Sequence, residues 1–301
     1  MTRSIDPGRL RMTLEIISGA MTIAMFSTLL FLLVASAWQS LNRSISGTNR
    51  FSHSILFEAA QRFRDQCETL TRQQSVYLAS SLVFLVIFLT VYLLNPEHLL
   101  FGLPRWQQLA ACTVVTVTAS YGLVRFASVV LKRKKVEFVR DANIATGHGL
   151  LYLAGNQTRV FHDVPCTTGI IDNVIVGPQG VYSVCVVARK AGKDKRVRLK
   201  GDQLAFAPGN NCVSVADCGK RAAQLARELR KHVGHDIRVR AVVAVPGWEI
   251  DSQASDEYLV VNERNLSMLR GWRDQKDYLM NEDVEQIHQL LTERCTRYKR
   301  K

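Results

Sequence analysis

The sequence predicts an α/β or α+β fold, a mixed sheet flanked by helices, standing behind N-terminal transmembrane helices. Uncharged apolar runs of membrane-spanning length are confined to the first 131 residues. From residue 136 onward, helix-like and strand-like segments follow one another. Charge divides the chain at the same place. Of 39 Lys+Arg and 26 Asp+Glu in 301 residues, 10 and 6 precede residue 132, leaving 29 and 20 and a net formal charge of +9 for the rest. The length allows about two domains, and the expected division is a membrane domain at 1–135 and a charged domain at 136–301. The excess positive charge favours an anionic partner, nucleic acid or an acidic lipid surface. It is equally the ordinary composition of a cytoplasmic part of a membrane protein.

Residues 16–38 carry no charge and exceed the ~20 residues needed to cross the hydrocarbon. That length favours a retained helix over a signal peptide, whose apolar core is about 7–15 residues. Residues 76–94 form a second uncharged run, flanked by Tyr77 and Tyr92. The third, 106–131, is interrupted only by Arg125, which can snorkel. Lys132, Arg133, Lys134 and Lys135 follow at once, and a basic cluster abutting a span marks the cytoplasmic side. The expectation is a multi-pass protein of the inner (cytoplasmic) membrane, partnered by the lipid bilayer, with its C-terminal domain cytoplasmic. Between the first two runs, 55–70 reads as an amphipathic or connector helix.

In the C-terminal part, 136–154 reads as a helix and 158–163 as a short strand. The stretch TGIIDNVIVGPQGVYSVCVVARK (168–190) is a strand, a Gly/Pro turn and a second strand, because β-branched residues flank Gly177-Pro178-Gln179-Gly180. Its one acid near the start, Asp172, needs a partner, since burying it alone is costly. Next comes a basic stretch holding Arg189, Lys190, Lys193, Lys195, Arg196, Arg198 and Lys200. Alternation on a strand would set Arg196, Arg198 and Lys200 on one face, as a stripe able to follow a phosphate backbone or as a plain solvated hairpin. Asp217 is expected to cap a helix with Ala222, Leu225, Ala226, Leu229 and Val233 on one side. The run 241–245 reads as a strand buried on both faces, 258–261 as a short strand and 265–272 as a helical turn. Asn281 is expected to cap a closing helix. Seven scattered cysteines lack C-x-x-C spacing, which points to reduced thiols and not to zinc.

Phe161–Val164 (FHDV), Gly169–Asp172 (GIID), Val174–Gly180 (VIVGPQG) and Val181–Val184 (VYSV) together resemble the nuclease-related domain family, NERD. The likeness runs from about Val136 to Cys295. It implies a restriction-endonuclease-like fold in which an Asp and a Glu hold a divalent metal, Mg²⁺ or Mn²⁺, and a Lys positions the attacking water. Asp172 matches the first acid. In the family the second strand reads approximately G-V-F-V-I-E-x-K, and counting from Gly180 puts Cys185 at the Glu and Val187 at the Lys. Arg189 offers a cation one step late on the same face. Gly147 is followed by His148 where the family commonly has Glu. A thiol and a valine cannot supply a hard oxygen site for Mg²⁺.

The expectation is therefore a membrane-anchored pseudoenzyme with no metal and no cofactor, binding nucleic acid or a protein partner through its basic surface. An active nuclease with migrated ligands, rescued by Asp163, Asp194 or Glu137, is the alternative. A structural or signalling membrane protein unconnected with DNA or RNA is the third reading.

Overall fold

The structure is a computed structural model that describes residues 24–38, 56–93, 105–155, 157–191, 194–208, 211–251, 257–271 and 278–296. The chain forms two compact units, one of residues 1–48 and 67–134, the other of 49–66 and 135–301.

In the first unit the described elements are helical. They are α1 (24–38), most of α2 (Gln61–Leu93) and the first part of α3 (Arg105–Leu151). Among the described residues, no helix is long and apolar enough to cross a membrane. That finding corrects the expectation of transmembrane helices at 16–38, 76–94 and 106–131, and with it the multi-pass inner-membrane placement; residues 16–23 of the first run lie outside the described part. The second and third apolar runs turn out not to be elements of their own. α2 opens with Arg62, Arg64, Asp65, Glu68 and Arg72 before the second run begins. α3 passes through Arg125 and the Lys132–Lys135 cluster without a break, joining the third run to the helix expected separately from Val136. Within α2 the hydroxyls of Ser80, Ser81 and Thr90 donate to the carbonyls of Tyr77, Leu78 and Val86. Phe26, Leu30 and Leu33 of α1 and Leu78, Leu82 and Leu85 of α2 are exposed.

The second unit adds β1 (Arg159–Cys166), β2 (Gly169–Gly177), β3 (Gly180–Val186), β4 (Arg196–Lys200), β5 (Gln203–Phe206), β6 (Asn211–Ser214), α4 (Ala216–Val233), β7 (Val239–Ala244), β8 (Glu249–Ile250), β9 (Tyr258–Val261), α5 (Met268–Gly271) and α6 (Asn281–Arg294). A five-stranded mixed sheet runs β1-β2-β3-β7-β9. Its first three strands form an antiparallel meander, and β7 and β9 lie parallel to β3. This is the expected α/β arrangement of a mixed sheet flanked by helices. The β2–β3 turn closes on the Gly177–Gly180 pair, and Gly180 has φ +121°, a region L side chains rarely adopt.

Both faces of the sheet are covered, which is why its strands read as near-continuous apolar runs. Leu225 and Leu229 of α4 and Val284, Ile287 and Leu291 of α6 pack on Phe161, Val174, Val176 and Val181. Leu150 at the end of α3, with Leu266 and Leu269, packs on Ile175, Tyr182, Val184, Val242 and Leu259 from the other side. Burying one such side chain is worth about 1.5–3 kcal/mol.

A second sheet, β6-β5-β4-β8, sits beyond the end of β3 and encloses Val197, Leu204, Phe206 and Trp248. Two capping expectations are corrected. The residue before α4 is Val215 and the one before α6 is Met280, neither with a side-chain cap; Asp217 and Asn281 are already helical. Asp217 and the Glu282–Asp283 pair instead place negative charge in the first turn, where the helix dipole favours it.

Candidate functional site

The β1/β2 register pairs His162 with Asn173 and Val164 with Ile171, leaving Asp163 and Asp172 as the unpaired step between them. Asp163 has φ +49°, left-handed backbone within a strand, which Asp tolerates better than most residues. Both carboxylates are buried, Asp163 at 6% and Asp172 at 7% exposure. One residue serves them both. The backbone N–H of Arg62, in the first turn of α2, donates to Asp163 Oδ2 at 2.9 Å. Its guanidinium Nη2 donates to Asp172 Oδ1 at 3.0 Å. The other Asp172 oxygen, Oδ2, accepts the Val186 N–H at 2.9 Å. The Arg62 guanidinium also lies 4.4 Å from the centroid of the Phe63 ring.

Burial pushes both acids above the usual carboxylate range. The Val186 N–H and the charges of Arg62 and Arg221 pull Asp172 back, and the Arg62 N–H and charge do the same for Asp163. Beside them, His162 Nδ1 and Asn173 Oδ1 meet at 2.6 Å, and burial lowers the His162 pKa and favours its neutral form. Among the described residues, Asn173 Nδ2 and Ser183 Oγ are buried without a partner.

Cys185, at the position the resemblance assigns to Glu, is 3% exposed near the end of β3 and faces α4. Val187, at the Lys position, packs half-buried against the same apolar cluster. The period-two reading of this strand therefore describes its packing. Cys185 also hydrogen-bonds Cys218, the third residue of α4, and Arg221 lies one turn further along that helix.

Asp163 is the one candidate replacement ligand that joins Asp172. Asp194 is engaged by Arg196, at 2.8 and 2.9 Å, and Glu137 sits half-buried on α3. Mg²⁺ demands near-octahedral oxygen ligands. The groups present are one carboxylate already held by the Arg62 guanidinium, a second held by the Arg62 backbone N–H, a thiol and a valine, so the donor set does not fit that ion. Among the described residues, no group of three or more His, Cys, Asp or Glu side chains converges to hold a metal.

Arg196, Arg198 and Lys200 are exposed on β4 while Val197 is buried and Leu199 half-buried, so the three cations do share the outward face. Two are partly neutralised, Arg196 by Asp194 and Arg198 by Asp251 at 3.0 Å. Arg189 lies over the Phe206 ring, 4.6 Å from its centroid, with Nη1 on the Asn211 carbonyl at 3.4 Å. Lys190, Lys195 and Lys200 are exposed. Lys193 lies outside the described residues.

Comparison with family models, with curated proteins and with solved structures gives no match to this chain. The likeness to the NERD family rests on the quoted residues alone. Sequence reasoning missed Arg62 and Arg221. Arg62 lies 110 positions from Asp172, and the only hint of it was the need of a buried acid for a partner.

Proposed function

We propose that the 49–66 and 135–301 unit is a non-hydrolytic binding module whose nuclease-like acid site is closed by its own arginine, and that its partner is the phosphate backbone of nucleic acid. One observation carries the first half. Arg62 Nη2 sits 3.0 Å from Asp172 Oδ1 while the Val186 N–H holds Oδ2, so each oxygen of the acid already accepts a donor. A bound guanidinium there opposes a second cation by charge repulsion. The outward cations of β4, with Lys190 and Lys195, support the second half, because exposed charges spaced along a strand suit a repeating polyanion. No interleaved aromatic side chains offer a stacking surface, so the module reads shape and charge and not bases.

The Asp163–Asp172 juxtaposition favours one competing reading, a metal-dependent nuclease with migrated ligands. That reading requires Arg62 to leave the site.

The deciding experiment incubates the full chain with labelled DNA and RNA, single- and double-stranded, with Mg²⁺ or Mn²⁺. Binding that weakens steeply with salt and leaves the strands intact is expected. Cleavage lost in Asp172→Ala would establish the nuclease instead, and salt-insensitive or absent binding would remove nucleic acid as the partner.

A further inference from the structure

Cys185 and Cys218 come from two elements whose positions are fixed independently. Cys185 is held by β3, which pairs with β7 in the register Cys185 to Val243. Cys218 is held by the first turn of α4, whose Leu225 and Leu229 anchor it on the sheet. Both thiols face one apolar cluster, with Ala222, Val243 and Tyr258 around them. They are within hydrogen-bonding reach of each other. Of the other described cysteines, Cys166 is turned to Glu228 at 3.2 Å, Cys212 is exposed on β6, and Cys67 and Cys295 are buried.

The two thiols are not equivalent. Cys218 lies in a helix first turn, where the dipole favours negative charge. The hydrogen bond from the Cys185 S–H lowers its pKa despite burial, and the Arg221 charge adds to that effect against Asp172 and Asp217. Cys185 is pushed up by the same hydrogen bond and by burial, so it keeps its proton. Cys185 takes the place of the resolving thiol and Cys218, in the first turn of the helix and the less buried of the two at 8% exposure against 3%, that of the attacking one. Its α4 neighbours Gly219 and Ala222 line a cavity of about 350 Å³ shared with Arg238, Arg240 and Tyr258, which lies in the size range of small-molecule pockets.

We infer that Cys185 and Cys218 form a reversible dithiol–disulfide site that takes low-molecular-weight disulfides of the glutathione type. The Cys218 thiolate attacks one sulfur of the small disulfide, breaking its S–S bond, expelling one thiolate and leaving a mixed disulfide on Cys218. Cys185 gives up its proton to the departing thiolate and attacks the Cys218 sulfur, expelling the second thiolate, which takes a proton from water. The protein's two thiols are oxidised to one disulfide and the small disulfide is reduced to two thiols. The new bond ties the end of β3 to the start of α4, one residue from the Val186 N–H that holds Asp172.

The full chain is equilibrated in glutathione buffers from strongly reducing to strongly oxidising, alkylated and mapped by peptide mass spectrometry. Oxidising buffer is expected to yield a linked peptide joining Cys185 to Cys218, reversed on return to reducing buffer, while the exposed Cys212 takes up glutathione as a mixed disulfide. In Cys185→Ser a glutathione adduct should accumulate on Cys218, whereas Cys218→Ser should trap none at Cys185. The wild-type map needs no variant to fold. Alkylation of both residues as free thiols across all buffers overturns the inference, as does a linked peptide between other cysteines or one seen only in denaturant.

Discussion

The Arg62 guanidinium meets the Asp172 carboxylate at 3.0 Å, and the two residues lie 110 positions apart. The pair therefore closes the unit as well as the acid site, because it joins the first turn of α2 to the middle strand of the β1–β3 meander. A buried pair gives little net stability by itself, but removing one partner strands the other. Arg62→Met is expected to cost about 3–5 kcal/mol in chemical denaturation. Adding Asp172→Asn to Arg62→Met should recover most of that loss. A double variant as unstable as the single one would show that Arg62 acts through its packing on Phe63 and not through charge.

Glu228 on α4 holds three elements at once. Its Oε1 accepts the Thr167 N–H and the Cys166 thiol, each at 3.2 Å, and the Thr167 hydroxyl, while Oε2 takes the Arg294 guanidinium of α6. Burial alone would raise its pKa, but the donors of Thr167, Arg294 and Cys166 outweigh it and bring the value down to about 2. A folded value below the unfolded one means stability that is present above the unfolded pKa of about 4.3 and lost as pH falls toward 2. Glu228→Gln should flatten the stability profile in that window and cost about 2 kcal/mol at neutral pH. Asp163 and Asp172 carry the opposite sign. Their folded values are raised, so the stability they oppose declines as pH climbs from about 3.9 through those values. Denaturation midpoints measured from pH 2 to 7 on the wild type and Glu228→Gln separate the two contributions.

Gly219 tests how tightly α4 sits on the second unit's sheet. Alanine in a helix interior normally gains up to about 1 kcal/mol over glycine. Here an added Cβ would lie 2.6 Å from the Tyr258 hydroxyl and 3.2 Å from two of its ring carbons. A buried ring cannot move aside like the tip of a lysine, and overpacking of this kind costs about 1–3 kcal/mol. The clash should win, and Gly219→Ala should lower the thermal midpoint; a higher midpoint would mean that α4 shifts freely over Tyr258.

The strands were legible where burial on both faces had written the same message many times over. Val181–Val184 and Ala241–Val245 are β-branched, small or aromatic throughout because helices or a second sheet cover both sides, and 258–261 could be read for the same reason. β5, β6 and β8 went unread, since two to four residues such as QLAF, NCVS and EI carry no period. Asp172 announced that it needed a partner but not which one, as nothing local marks an arginine on a distant helix. The apolar runs misled for the converse reason. Local composition set their ends, whereas α2 and α3 continue through charged sequence that the window left out. Cys218 looked solitary because its neighbour Cys185 is brought to it only by the crossover from β3 through the second sheet to α4.

Nucleic-acid binding by the basic surface has its own signature in salt. Removing one cation that neutralises a phosphate of duplex DNA should reduce the slope of log affinity against log salt by about 0.9. Lys195→Ala and Lys200→Ala, both exposed, should each show a change of that size if they touch phosphate. Arg198 differs because Asp251 already holds it at 3.0 Å, and Arg196 because Asp194 does at 2.8 Å. Exposed pairs of this kind are worth at most about 1 kcal/mol, so a phosphate can compete for the arginine at small cost. Asp251→Asn should consequently tighten binding several-fold and steepen the slope, while Arg198→Ala should weaken it less than Lys200→Ala. Filter-binding titrations of the full chain on one duplex at several salt concentrations measure all four. Equal slopes for the wild type, Lys195→Ala and Lys200→Ala would place the binding surface away from β4.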